Sequence, residues 1–194
     1  MIAALRELAA RILFRQAAGL TSRFRVVFYR AMGMKLGPAC RLEAIRVRRP
    51  TQIQLGANNA LTRGCWLWPT DDAYDGVRIR IGDHNYFNRD AIVDACGTIE
   101  IGSHNMFGPR VFITDSNHTF RPGQWVSEGA MDAGKVVIGD GCWIGANAII
   151  LKNVTLGDRC IVGAGAVVTR SFPAGSVIAG VPARLLKPAG REMF

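Results

Sequence analysis

The aliphatic positions of this chain recur with a period of six. From Ile138 onward they are Ile138, Ile144, Ile150, Leu156, Val162 and Val168, with glycine directly after four of them at Gly139, Gly145, Gly157 and Gly163. The fourth residue after each aliphatic is small: Cys142, Ala148, Val154, Cys160 and Ala166. Upstream the same spacing gives Ile81, Phe87, Val93 and Ile99, then Ile101, Phe107 and Ile113, with shorter runs at Leu36 and Leu42 and at Leu55, Leu61 and Leu67. An amphipathic helix repeats near 3.6 residues and a half-buried strand repeats at 2, so neither explains a period of six. A prism-shaped β-solenoid does. Each hexapeptide is one short strand and a turn, three make a coil, and strands of successive coils stack as parallel sheets around an aliphatic ladder. The expected fold class is therefore all-β, a left-handed parallel β-helix.

The same register gives structural work to residues that would otherwise suggest chemistry. The third position after the aliphatic holds Asn58, His84, His104, Gly141, Asn147, Asn153 and Gly165. Glycine and asparagine favour left-handed backbone and histidine is enriched there, so His84 and His104 are expected at equivalent turn corners. Cys40, Cys65, Cys142 and Cys160 fall on the small inward position and read as buried spacers rather than nucleophiles. Cys96 lies off that position with no activating neighbour in the sequence. Five cysteines with no CxxC pair argue against a disulfide framework and against a structural zinc site.

A regular solenoid has no cleft, so its interruptions are where chemistry is sought. Between Ile113 and Ile138 the period fails across Thr114-Asp115-Ser116-Asn117-His118-Thr119-Phe120 and a polar stretch reaching Lys135. This insertion carries His118, the one histidine of three that misses a turn corner. An imidazole on such a loop can take up a proton near neutral pH. A second break, Trp66 to Val77, carries Asp71, Asp72 and Asp75 and reads as a solvated excursion.

Composition changes the picture at the N-terminus. The chain has 194 residues, 49% of them hydrophobic, which suits one domain with a real core. Its net charge is +9, and residues 1 to 50 hold all of the excess: 11 Lys and Arg against Glu7 and Glu43. Met1 to Leu20 is apolar but interrupted by Arg6, Glu7, Arg11 and Arg15, which is too charged for a membrane span and lacks the core of an export signal. A cytoplasmic location follows as the expectation. Ile2, Leu5, Leu8, Ile12 and Leu13 follow helical spacing, and Thr21 or Ser22 is placed to cap a second helix ending near Gly33. Such a segment either covers the open end of the solenoid or docks on anionic membrane. Nucleic acid is not expected, since no recognition motif accompanies the charge.

The run from Ile138-Gly-Asp-Gly-Cys-Trp-Ile-Gly-Ala-Asn through Val162-Gly-Ala-Gly-Ala-Val-Val-Thr-Arg to Ala179-Gly-Val-Pro-Ala-Arg resembles the hexapeptide-repeat acetyltransferases. These include the maltose and galactoside acetyltransferases and the O-acetyltransferases of surface-polysaccharide synthesis. The resemblance spans roughly Leu36 to Lys187, and Thr114-Asp-Ser-Asn-His-Thr-Phe is closer to the polysaccharide branch, because proline usually follows the histidine in the galactoside branch. It implies acetyl coenzyme A as acyl donor, no metal, and a homotrimer with active sites between subunits. By position it implies His118 as general base, Asn88 in the acceptor pocket and Asp94 near a pocket carboxylate. Ala146 and Ala164 match positions lining the pantetheine arm, while Thr169, Arg170, Arg184 and Lys187 match residues near the phosphates and adenosine. The implied reaction is acetyl transfer to a sugar hydroxyl of a polysaccharide or lipid-linked precursor, with Asp94, Asp115 or a carbonyl fixing the tautomer of His118.

Three other readings compete. Transfer to an amino sugar would use the same parts. A γ-type carbonic anhydrase shares the solenoid and needs three zinc-binding histidines, but the spacing of His84, His104 and His118 does not supply its close pair. A non-catalytic scaffold would not explain the Arg184 and Lys187 tail. The expected organisation is a basic segment over 1–34, the β-helix over 35–187 with its catalytic loop at about 114–135, and a tail over 188–194.

Overall fold

The computed structural model describes residues 19–70 and 76–187. The hexapeptides wind into a three-faced prism. Face 1 stacks Lys35–Leu36, Ile53–Leu55, Ile79–Ile81, Thr98–Ile101, Lys135–Ile138 and Thr155–Leu156. Face 2 stacks Arg41–Leu42, Ala60–Leu61, Tyr86–Phe87, Met106–Phe107, Trp143–Ile144, Ile161–Val162 and Val177–Ala179, and closes with Arg184–Lys187. Face 3 stacks Arg46–Val47, Trp66–Pro69, Ile92–Ala95, Phe112–Thr114, Ile149–Ile150 and Val167–Val168. Every rung is parallel until Arg184–Lys187 turns back antiparallel on Val177–Ala179. The all-β, left-handed parallel β-helix is the fold of the chain.

Stacking in register turns the six-residue period into continuous ladders. Ile81, Ile101 and Ile138 are successive rungs on face 1, and Phe87 and Phe107 stack with ring centroids 4.2 Å apart inside face 2. The small inward residues Ala148, Val154, Cys160 and Ala166 are fully buried, where a larger side chain would meet the opposite wall. All seven corner residues named from the register have positive φ, from Asn58 at 57° to Gly165 at 70°. The His84 and His104 rings lie stacked at 4.8 Å on adjacent corners, as structural turn residues. Cys65, Cys96, Cys142 and Cys160 are buried, and Cys40 is half-buried at the first coil. Burial pushes the Cys65 thiol up to about 11, which keeps it protonated and inert.

One feature of the core has no counterpart in the aliphatic pattern. Asn59, Asn85 and Asn105 occupy successive rungs of the small inward position and are buried. Each side-chain oxygen accepts the backbone N–H one coil on: Asn59 from Asn85, Asn85 from Asn105, and Asn105 from Cys142 at 2.6 Å. The amide groups of Asn59 and Asn85 donate to the carbonyls of Gly82 and Gly102. The ladder satisfies all three side-chain oxygens and the amide nitrogens of Asn59 and Asn85, and leaves the Asn105 Nδ2 unpaired.

The described part of the N-terminal helix runs over 19–31. Gly33, at φ 89°, ends it where expected, with Met34 N–H donating to Tyr29 O and Gly33 N–H to Arg30 O. Its start differs from expectation. Thr21 and Ser22 lie inside the helix, and Ser22 Oγ accepts the Leu42 N–H of the first coil at 2.9 Å instead of capping. The proposed helix over Ile2 to Leu13, and Asp71, Asp72 and Asp75, lie outside the described residues. The second break is also shorter than expected, because Trp66–Pro69 is a strand in register with Ile92–Ala95. Among the described residues no helix is long and apolar enough to cross a membrane.

Candidate functional site

The candidate residues separate into two groups at opposite edges of face 3. The first group surrounds a groove of about 450 Å³ at the edge shared with face 2. Its floor exists because Gly108, Gly145 and Gly163 stack at that corner. A Cβ on Gly145 would meet Ala164 N at 2.5 Å, and one on Gly108 would meet Ala146 N at 2.6 Å. Coils can therefore approach closely only without side chains there. Met106 and Trp143, both largely exposed, form successive rungs of one wall. Asn88, Ala146 and Ala164 line the groove, so three residues named from the sequence come together. The Asn88 Oδ1 accepts the Arg89 N–H at 2.8 Å, which fixes the orientation of the amide. Arg184 and Lys187 belong to the last strand of the same face, where Arg184 pairs with Ala179.

The second group sits at the edge shared by faces 3 and 1. Residues leaving Thr114 enter an arm in which Ser116–His118 pairs antiparallel with Met131–Ala133, and His118 faces Met131. Thr119 extends the pairing through its N–H and its hydroxyl, both donated to Ala130 O. The arm presents an exposed His118 and an apolar tip, with Phe120 73% and Trp125 77% exposed. Thr169 and Arg170 lie at the same edge two coils further on, exposed, with the Arg170 guanidinium 5.2 Å from the centroid of Phe172. No residue of this group lines the groove.

Two carboxylates occupy the root of the arm. Asp94 stands on the rung beside Thr114, and Asp115 is the next residue along the arm. Asp115 is buried, and its Oδ1 accepts the Cys96 N–H at 2.7 Å. One oxygen of each, Asp94 Oδ1 and Asp115 Oδ2, is buried with no hydrogen-bond partner. Burial raises both above the ordinary carboxylate range. The Asp115 charge raises Asp94 further while Arg48 opposes it, and the N–H groups of Cys96 and Gly97 together with Arg78 oppose the rise of Asp115. Within the described residues neither carboxylate bonds to His118, so neither Asp94 nor Asp115 fixes its tautomer inside one chain. Sequence reasoning named Asp94 and Asp115 separately and missed them as a pair. It also missed Met106 and Trp143, whose outward position follows from the register.

The outer side of face 3 carries a second unforeseen feature. Trp66, Ile92, Phe112, Ile149 and Val167 form one outward column down this face, each half-buried. Arg46 lies 4.8 Å over the Trp66 ring and Arg48 5.6 Å over the Trp68 ring. Among the described residues, no group of three or more His, Cys, Asp or Glu is placed to hold a metal ion.

Residues 135–170 match the family of bacterial transferase hexapeptide repeats. Solved structures are similar over most of the chain. A hexapeptide-repeat-containing acetyltransferase from Vibrio cholerae O1 biovar eltor, solved with acetyl coenzyme A, is 27% identical with a TM-score of 0.62, covering 98% of this chain and 90% of its own. A maltose O-acetyltransferase from Clostridium difficile 630 is 26% identical with a TM-score of 0.58, covering 86% of this chain and 75% of its own. AntD, an N-acyltransferase from Bacillus cereus solved as a point variant with dTDP and coenzyme A, shares the fold at 23% identity and a TM-score of 0.70, covering 83% and 87%. The repeat, the prism and these likenesses support an acyltransferase, similar to those of the hexapeptide-repeat type.

Proposed function

We propose that the protein is an acetyl-coenzyme-A-dependent O-acetyltransferase acting on a sugar hydroxyl of a polysaccharide or lipid-linked precursor, with His118 as general base. The observation that carries this reading is the pairing of a narrow apolar groove with an unencumbered imidazole on a projecting arm. The groove fits the donor. Ala146 and Ala164 leave room for a slender arm between the Met106–Trp143 wall and the coil corner, and the strand that holds Arg184 and Lys187 lies further along the same face for its phosphates. Acetyl coenzyme A would supply the acyl group as a thioester, whose sulfur leaves needing one proton.

His118 would accept the hydroxyl proton as the acceptor oxygen bonds to the acyl carbon, and would return that proton to the leaving sulfur. No other acid or base is then needed, and assistance of this kind is worth roughly 10²–10⁴-fold. Asn88, held by the Arg89 N–H, would orient the acceptor through its free amide donors. The maltose O-acetyltransferase likeness supports oxygen as the accepting atom.

His118 and the groove lie at opposite edges of face 3, so one chain would supply half of each site. A homotrimer joins one copy's arm to the next copy's groove. The apolar column of face 3 and the exposed arm tip support such packing, since both would lose water on assembly. Thr169 and Arg170, at the arm's edge, would then reach the donor's phosphates from the neighbouring copy. The test is thiol release from acetyl coenzyme A against a panel of nucleotide-linked and lipid-linked sugars. Release stimulated by a hydroxyl acceptor is the expected result, and stimulation by amino sugars alone would transfer the reaction to nitrogen.

A further inference from the structure

The N-terminal helix has two apolar faces, and the solenoid uses one. Ser22, Val26 and Tyr29 point inward: Ser22 bonds to Leu42, Val26 joins the core, and Tyr29 packs against it. This face caps the first coil. The spacing 20, 24, 27, 28 and 31 marks the other side of the helix. There Leu20 is 65% exposed, Phe24 71% and Val27 64%, with the Phe24 and Phe28 rings stacked at 6.5 Å. Met32 extends the stripe past the last turn at 52% exposure. A cap needs no such outer face, and water penalises it.

The charge on the helix is of one sign. Helix 19–31 carries Arg23, Arg25 and Arg30 and no acid. A groove of about 550 Å³ between the helix and the first coil is lined by Arg23, Arg30 and Arg41 over an apolar floor that includes Val26 and Cys40. The Arg30 guanidinium is held in place by the carbonyls of Leu36 and Gly37 at 3.1 and 2.9 Å. Large apolar side chains flanked only by arginines match the interfacial zone of a bilayer, with acyl chains beside anionic headgroups.

We infer that the outer face of helix 19–31 docks the protein on an anionic lipid surface, with Leu20, Phe24, Val27 and Phe28 entering the interface and the arginines meeting headgroup phosphates. The inference stands apart from the reaction assigned above. Such docking is reversible, because a short stripe on one helix buries far less than a membrane span. Its strength depends on salt, since the arginines act through screened charge.

The test is co-sedimentation of the full chain with vesicles of phosphatidylcholine, with and without phosphatidylglycerol. The wild type should sediment with the mixed vesicles and not with pure phosphatidylcholine, and high salt should release it. Phe24→Glu with Val27→Glu should weaken binding roughly ten-fold or more, because two apolar side chains that would enter the interface are replaced by charges facing anionic lipid. These side chains are exposed, so acetyl-coenzyme-A binding by the variant should stay at the wild-type level and report an intact fold. Arg23→Glu should weaken binding to the mixed vesicles by a separate route. Equal sedimentation of wild type and double variant would overturn the inference. So would a double variant that loses oligomeric mass by light scattering while keeping its vesicle binding, because the stripe would then join copies of the chain.

Discussion

His118 differs from the other two histidines in its surroundings rather than in its chemistry. His84 and His104 are locked by positive-φ corners and stacked on each other, whereas His118 ends a short strand with its ring in solvent. His118→Ala should therefore lower turnover by roughly 10²–10⁴-fold while thermal melting stays unchanged, since the side chain packs against nothing buried. The same melting comparison separates loss of the base from loss of the fold. Asp94 and Asp115 make a different prediction. Both carboxyls are raised, so the folded chain holds more protons than the unfolded one just above their ordinary value near 3.8. Their contribution to stability is therefore complete below that value and lost as pH rises through the raised one. Asp94→Asn removes one member of the repelling pair. It should melt higher than wild type at neutral pH, with the gap closing as pH falls through the raised values toward the ordinary one near 3.8. A gap that stays constant across that range would show that the pair does not titrate as described.

At the scale of the element, the period of six made the strands legible because it records a physical repeat: one inward aliphatic for each short strand. It located seven corner residues because a left-handed turn favours glycine, asparagine and histidine, while the equivalent corners at Ala39, Asp90, Arg110 and Arg159 carry residues that give no such signal. The asparagine ladder was not legible as a ladder. Asn59, Asn85 and Asn105 share a register position with Cys142 and Cys160, and a hydropathy pattern registers only that the position is compact. What holds them is hydrogen bonding between coils, which appears only when coils stack. Asn85→Ala would leave the Asn105 N–H and the Gly102 carbonyl without this partner. Equilibrium unfolding in urea should show a loss of roughly 1–3 kcal/mol for each buried group left unpaired. The arm was visible as a gap in the period, but its pairing was not, because Ser116-Asn117-His118 carries no apolar residue and Met131-Asp132-Ala133 is too short for its alternation to mark a strand. The helix misled in one respect. Ser22 has the chemistry of an N-cap, yet its hydroxyl serves the unpaired edge of the first coil. Local capping signals carry no information about a sheet edge twenty residues away.

For the whole molecule, the decisive fact is the separation of groove and arm across face 3. Each candidate residue was named singly from its place in the chain, and most lie on one or other edge of that face. Their division into two groups follows from winding, which sets residues 108 and 115 on different corners of the prism. No single-chain pattern records what faces those corners. The proposed homotrimer packs through the apolar column from Trp66 to Val167, and light scattering should then return three times the mass of one chain. Placing a charge in that column by Phe112→Glu should lower the mass and abolish turnover together. The direct measurement is complementation between two inactive variants. His118→Ala removes the base and leaves the groove open; Ala164→Trp fills the groove and leaves the base in place. Each homo-oligomer should release no thiol above background. When the two are co-assembled, sites that combine an intact groove from one copy with His118 from another should restore release. Co-assembled oligomers no more active than either variant alone would contradict a site shared between copies.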